Sequence, residues 1–187
     1  MDKSIIEVWT KSDCIVNPNH VIINVNNQKI FDGYLTENKL IFDDVSLING
    51  ENSLTFELTN KDENNSTLLD NEGKIVKDTF VSIDNIVIED FMMRAFKNTY
   101  GTIDINWAKN KNCHSYLINN NIDIDSWYCG KPSYLSVNAR YTFKFYRPLD
   151  QWLMKIKEEL NPGYVFEQLK TEDQKLLGEV KKLLGER

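Results

Sequence analysis

Apolar and polar residues alternate over several short segments in the first hundred residues of the chain. HVIINV (residues 20–25) and SLTFELT (residues 53–59) both place an aliphatic or aromatic residue at every second position. Successive side chains of a β-strand point to opposite faces, so this period predicts strands with one buried face. Asn26 and Asn27 tolerate positive φ and predict a tight hairpin after the first strand, and Asn49–Asn52 predicts a turn before the second.

A change of parity marks a third strand region. Val81 and Ile83 share one face of a strand, whereas Ile86 and Ile88 have the opposite parity. A regular strand could bury only one of these pairs. We therefore predict a β-bulge near Asp84–Asn85 that keeps both pairs in the core.

Large rings concentrate between residues 100 and 146. Tyr141, Phe143 and Phe145 alternate with polar residues and predict a strand with a buried aromatic face. The pattern predicts long loops for the rest of this segment.

Helical spacing begins after Pro148. Apolar residues recur every three or four positions up to Leu160, before a Pro-Gly break, and a second helix is predicted from Thr171 to Leu184. Its apolar stripe either folds back on the chain or meets a neighbouring subunit, and we expect a partner to contact this tail. The predicted partner-binding residues are Leu149, Leu153, Leu176, Leu177, Val180 and Leu184.

Together these patterns predict a mainly β protein, a jelly-roll-like antiparallel β-sandwich with a short α-helical C-terminal tail. Residues 1–98 would form the sandwich. Residues 99–147 would be an aromatic-rich β extension of the same domain, and residues 148–187 the helical tail.

Composition narrows the function classes. The 187 residues are 41% hydrophobic, enough for a buried core, and carry a net charge of -6. An acidic chain without a basic cluster before its tail is not expected to bind nucleic acid, and the sequence predicts no membrane span. The N-terminus lacks a signal-peptide pattern, which predicts that the chain is made in a cytoplasm and kept there at least until assembly or lysis. The three cysteines favour free thiols over a disulfide framework.

The candidate chemistry lies in residues 60–90, a stretch rich in Asp, Glu and Asn. Calcium prefers six to eight oxygen ligands from carboxylates, amides and backbone carbonyls. Asn60, Asp62 and Asp78 could converge on such an ion if the strands at residues 53–59 and 79–88 were neighbours. The alternative is a solvated loop in which these side chains only close turns.

Two segments resemble a known family. GENSLTFELTNKD (residues 50–62) and KDTFVSIDNIVIED (residues 77–90) are similar to calcium-dependent carbohydrate-binding modules of the xylan-binding type. The resemblance implies a β-sandwich and calcium held by Asn60, Asp62 and Asp78. This chain departs from the family pattern where Lys61 separates Asn60 from Asp62.

A second resemblance concerns residues 65–78 and 134–153, which are similar to segments of small structural proteins of tailed marine phages and cyanophages. It implies a virion component of the neck, tail or fibre. Such a protein would act by docking to other virion proteins, in multiple copies of a symmetric assembly. The alternative function is calcium-dependent recognition of host-surface glycans.

Exposed rings could form a glycan platform, because an aromatic face can stack on a sugar ring. The candidates are Trp107, Trp127 and Tyr128, although rings in a β-rich segment more often belong to the core. Asp123 and Asp125 are two residues apart, whereas a glycosidase pair normally flanks the sugar from separate elements. We therefore expect no enzymatic activity.

Overall fold

Two antiparallel sheets form the body of the protein, a β-sandwich as predicted. The computed structural model describes residues 3–64, 66–72, 75–94, 97–123, 127 and 132–160. Its elements are β1 (Lys3–Asp13), β2 (His20–Val25), β3 (Gln28–Tyr34), β4 (Lys39–Ser46), β5 (Gly50–Leu58), β6 (Thr67–Leu69), β7 (Ile75–Asp78), β8 (Phe80–Ile88), β9 (Phe91–Met92), β10 (Gly101–Ile105), α1 (Lys111–Asn119), β11 (Tyr134–Leu135), β12 (Ala139–Arg147) and α2 (Leu149–Leu160).

The first sheet has the strand order β11-β8-β1-β4, and β9 also pairs with β8. The second has the order β10-β12-β5-β2-β3, and β6 and β7 form a separate hairpin. Consecutive strands repeatedly cross from one sheet to the other. This exchange gives each sheet an apolar face toward the shared core and leaves the other face to solvent.

Local alternation confirms the predicted strands. In β2 and β5 every second residue is buried, and Asn26 and Asn27 turn the chain into β3 with φ of 49° and 65°. The predicted turn at Asn49–Asn52 is wrong, since β5 already begins at Gly50. Asn52 is buried, and its side-chain amide bonds to the backbone N–H and C=O of Ile48, which closes the turn before the strand.

The predicted bulge in β8 is confirmed. Pairing with β1 shifts register between Trp9, opposite Asn85, and Thr10, opposite Ile83, which leaves Asp84 as the extra, exposed residue. Both apolar pairs of β8 are buried as a result.

Aromatic residues fill the centre of the core. Phe56, Tyr141, Phe143 and Phe145 are essentially without solvent exposure. Burying such a side chain stabilises the fold by roughly 1.5–3 kcal/mol. The Tyr141 hydroxyl donates to the Lys97 carbonyl at 2.7 Å, so the polar end of the ring has a partner, and burial raises its pKa.

Residues 100–146 were predicted as long loops outside the aromatic strand, and this is wrong. The segment contains β10, at the edge of the second sheet, and the nine-residue helix α1. In α1 only Leu117 is buried, so the helix carries almost no apolar period that a sequence pattern could reveal.

The chain divides into two compact units, residues 1–149 and residues 150–187. Helix α2 confirms the helical spacing after Pro148, and Trp152 and Ile156 are its buried residues beyond Leu149. The predicted second helix lies outside the described residues. Within the described ranges, no helix is long and apolar enough to cross a membrane.

Candidate functional site

A pocket of about 220 Å³ opens where three strands of the second sheet end. Ala139, the first residue of β12, pairs with Leu58 at the end of β5 and with Ile105 at the end of β10. The segments that follow β5 and β10 and the segment that precedes β12 therefore meet at one end of the sandwich, together with the β6–β7 hairpin. The pocket is lined by Lys61, Glu63, Thr67, Ile75, Asp78, Asn110, Asn112, Cys113, Trp127, Ser136 and Val137.

A largely buried ion pair forms one wall. Lys61 Nζ lies 2.5 Å from Asp78 Oδ1, with side-chain exposures of 7% and 18%. Lys61 Nζ also donates to the Thr79 carbonyl at 2.9 Å, and Thr67 Oγ1 donates to Asp78 Oδ1 at 2.7 Å. Charges removed from water need such additional hydrogen bonds to offset their lost hydration. Because Lys61 follows β5 and Asp78 ends β7, the pair ties the segment after β5 to the β6–β7 hairpin.

The side-chain amide of Asn138 hydrogen-bonds to both backbone polar groups of Lys61. Its Oδ1 accepts the Lys61 N–H at 2.8 Å, and its Nδ2 donates to the Lys61 carbonyl at 2.8 Å. Asn110 extends the network, donating to the Asn138 carbonyl at 2.8 Å and accepting the Asn138 N–H at 3.0 Å. Asn110 and Asn138 are both buried, so these bonds are shielded from competing water.

Glu63 joins the same segment to helix α1. Its two carboxylate oxygens accept the backbone N–H groups of Asn112 and Cys113, each at 3.0 Å. The first N–H groups of a helix have no partner within the helix, and Asn110 at the N-cap makes no side-chain capping bond. A carboxylate from a distant segment therefore takes the capping role, where the helix dipole also favours negative charge.

One aromatic ring lines the pocket, and two further rings lie beside it. Trp127 lines it with 38% of its surface exposed. The ring of half-buried Trp107 lies 6.5 Å from that of Trp127, centroid to centroid, and stacks on His114 at 4.9 Å. Trp107 thus links the Trp127 ring to His114 of α1, while Trp127 keeps surface toward solvent.

The pKa values of two groups near the pocket are raised. Burial, and then the Glu63 carboxylate, raise the pKa of the Cys113 thiol, so it is protonated near neutral pH and is a poor nucleophile. Burial, and then Asp78, raise the pKa of Tyr134. Cys14 and Cys113 are free thiols, and Cys129 lies outside the described residues.

The three predicted calcium ligands are engaged separately. Asn60 bonds to the backbone of His20 and Pro18, and Asp62 Oδ1 accepts the Asn64 N–H at 3.0 Å in a local turn. Asp78 faces the Lys61 ammonium. Strand β5, which precedes Asn60 and Asp62, and strand β8, which follows Asp78, belong to different sheets and are not the neighbours we supposed.

Within the described ranges, no group of three or more His, Cys, Asp or Glu side chains is placed to hold a metal ion. Calcium binding by the predicted trio stays a prediction, and it would have to displace Lys61 from Asp78.

Calcium is therefore expected to have little effect on the stability of the native chain. We expect thermal midpoints in millimolar calcium and in EDTA to agree within about 1 °C, because the Lys61 ammonium already lies beside Asp78. A calcium site filled at 100 times its dissociation constant would instead add about 2.7 kcal/mol, which is a shift of several degrees. Differential scanning calorimetry measures this directly. A rise of several degrees that Asp78→Asn removes would instead establish the calcium site.

The predicted glycan platform is brought together in part. The rings of Trp107 and Trp127 are neighbours, but only Trp127 lines the pocket, together with Asp78. Tyr128 lies outside the described residues. Asp123 is exposed, and Asp125 also lies outside them.

Of the predicted partner-binding residues, Leu149 is buried and Leu153 half-buried. Leu176, Leu177, Val180 and Leu184 lie outside the described residues. The partner role of the tail stays a prediction.

Sequence reasoning missed Lys61, Glu63, Asn110 and Asn138 as site residues. Their contacts join positions 28 to 77 residues apart, which no local pattern reports. Lys61 was visible in the sequence only as the residue that separates Asn60 from Asp62 and so departs from the family pattern.

No family model matches the chain, and no curated protein matches it. A solved structure described as "vCBM60 in complex with galactobiose" is similar, with a TM-score of 0.42 and 15% identity. The likeness covers 74% of this chain and 96% of that chain. At this TM-score it is too distant to decide a function.

Proposed function

We propose that the chain is a carbohydrate-binding β-sandwich module and that the pocket beside Trp127 is its sugar site. The observation that carries this proposal is an exposed indole at a pocket whose hydrogen-bonding groups are held in place by the chain itself. A sugar makes two chemical demands on its binding site: an apolar partner for its C–H face and hydrogen-bonding partners for its hydroxyl groups.

The indole meets the first demand. Trp127 is held near Trp107 and still exposes 38% of its surface at the pocket. Aromatic rings bury much apolar area at a small cost in conformational entropy, and the π-face suits polarised C–H groups.

Polar groups meet the second demand. An ammonium has three N–H donors, and the Asp78 and Thr79 bonds use two of those of Lys61. The Glu63 carboxylate keeps acceptor capacity beyond its two backbone bonds, since its oxygens offer about four lone-pair sites. Groups fixed before binding lose little freedom on binding, which favours affinity.

Size and charge favour a small neutral ligand. The pocket volume, about 220 Å³, is below the roughly 300–1,000 Å³ typical of sites for drug-sized ligands, and suits one sugar ring. Lys61 is neutralised by Asp78, and Glu63 adds negative charge, so a uronate or phosphate would meet repulsion. The proposal includes no chemical step, because both pocket carboxylates act as acceptors that hold the structure.

The test is binding of a panel of neutral mono- and disaccharides, galactobiose among them, by isothermal titration calorimetry. We expect Trp127→Ala to weaken binding at least about fivefold, since loss of a stacked ring removes about 1 kcal/mol or more. Trp9→Ala is the matched control, because Trp9 is 44% exposed on the outer face of the first sheet, away from the pocket. Absence of binding by the native chain, or equal losses in both variants, would refute the proposal.

A structural role in a tailed-phage virion, which the second resemblance implies, stays a prediction. It rests on the sequence similarity and on the leucines of the tail. Light scattering on the full chain bears on it, because a monomer at high concentration would leave the symmetric assembly without support.

A further inference from the structure

The hairpin beside the pocket carries strongly exposed aliphatic side chains. Leu69 is 59% exposed and Ile75 is 65% exposed, although solvent-facing strand positions are more often polar. Both belong to the short β6–β7 hairpin, whose other end, Thr67 and Asp78, lines the pocket.

The register of the hairpin directs this pair toward the pocket. Thr67 pairs with Asp78, and Leu69, two residues further along β6, lies on the same face as Thr67. A register shift after Leu68 places Ile75 opposite Leu69, and Ile75 itself lines the pocket. Leu69 and Ile75 therefore form an apolar strip that extends from the polar wall at Asp78 away from the pocket. We call these two residues the aliphatic lane.

From this continuity we propose that the ligand is a glycoside with an uncharged apolar aglycone, an alkyl or aryl group that lies along the aliphatic lane. The inference rests on the proposed function, because it takes the sugar ring to occupy the pocket. It adds the chemical class of the group attached to that ring.

The lane suits an apolar group better than a second sugar. Leu69 and Ile75 offer neither a planar face for stacking nor a hydrogen-bonding group, so a sugar ring placed on them would bury hydroxyls without partners. An anionic group is also disfavoured. Asp70 and Glu72 are exposed in the turn of the hairpin, and Lys77 is paired with Asp13 at 3.4 Å.

The experiment compares matched methyl and hexyl glycosides of glucose, galactose, xylose and mannose by calorimetry, below the concentrations at which hexyl glycosides aggregate. A fully buried methylene strengthens binding about fourfold. For five additional methylenes half-buried on an open lane, we expect the hexyl glycoside to bind about 10- to 100-fold more tightly than its methyl counterpart.

Variants locate the effect. Leu69→Asn is expected to reduce the hexyl-to-methyl ratio to below about threefold while methyl glycoside affinity stays within about twofold, because Leu69 lies outside the pocket lining. Ile75→Asn should reduce the same ratio to a similar extent, and since Ile75 lines the pocket its effect is judged on the ratio and not on methyl glycoside affinity. Ile5→Asn is the matched control, since Ile5 is similarly exposed on the first sheet and should leave the ratio unchanged.

The outcomes separate the two proposals. If neither glycoside binds the native chain, the proposed function fails. If the methyl glycoside binds and the hexyl chain adds nothing, or if the preference survives both hairpin substitutions, the aglycone lane is refuted while the sugar site stands. Tighter binding of a disaccharide than of the hexyl glycoside would assign the lane to a second sugar.

Discussion

Replacing Lys61 with alanine is expected to lower the free energy of unfolding by about 2–4 kcal/mol. The substitution leaves the Asp78 carboxylate, with 18% of its side chain exposed, without its cation, 2.5 Å away in the native chain. Removing one partner of a fully buried pair typically costs 3–5 kcal/mol, and the residual exposure of Asp78 reduces that figure. Chemical denaturation gives the free energy, and the thermal midpoint should fall by roughly 5–12 °C.

The control is an ion pair of similar length on the surface. Lys144 lies 2.9 Å from Glu51, and both side chains are well exposed. Lys144→Ala should change stability by less than about 1 kcal/mol, because water screens exposed pairs. The double variant Lys61→Met, Asp78→Leu should recover more than half of the loss, since no charge then remains buried. A Lys61→Ala variant as stable as the Lys144→Ala control would contradict the role given to the pair.

Local alternation was sufficient to predict the sandwich. The strands β2, β5 and β12 each bury every second residue, and this period is written into contiguous sequence. The bulge in β8 followed from the same logic, because only an extra residue reconciles two apolar pairs of opposite parity. Helix α1 was not predicted, because a helix held by one buried leucine and a distant carboxylate shows no such period.

The site could be predicted only in part. Asp78 and Trp127 were singled out for their chemistry, and the structure places both at one pocket. Their surroundings depend on contacts between remote positions: Lys61 with Asn138 and Glu63 with α1. Sequence spacing carries no information about such pairs. Lys61 appeared as an interruption of a metal-binding pattern, whereas in the fold its ammonium occupies a position beside Asp78 that a cation could otherwise take.

This arrangement has a consequence for binding. The groups that line the pocket are held by one another, so ligand binding need not order them. The same contacts determine how firmly the segment after β5 is attached to the sandwich. Stability and affinity should therefore decrease together when the network is broken, and Asn138 is the residue where this coupling can be measured.

Asn138→Ala is expected to lower the free energy of unfolding by about 2–4 kcal/mol. The side chain accepts the Lys61 N–H and donates to the Lys61 carbonyl, each at 2.8 Å, and each group left without a partner costs about 1–3 kcal/mol. Hydrogen exchange should show lost protection of the Lys61 amide, because its acceptor is removed. Affinity for any sugar bound at the pocket should decrease in the same variant.

Asn120 provides the matched control for this substitution. Its side-chain amide donates to the Tyr116 carbonyl at 2.8 Å, at the exposed end of α1. Asn120→Ala should change stability by less than about 0.5 kcal/mol, because water can replace that bond. If Asn138→Ala matched Asn120→Ala in stability and kept the Lys61 amide protected, the role given to Asn138 in holding the segment after β5 would be refuted. Because the two contacts act on the same residue, the Lys61→Ala, Asn138→Ala double variant should lose less than the sum of the single losses.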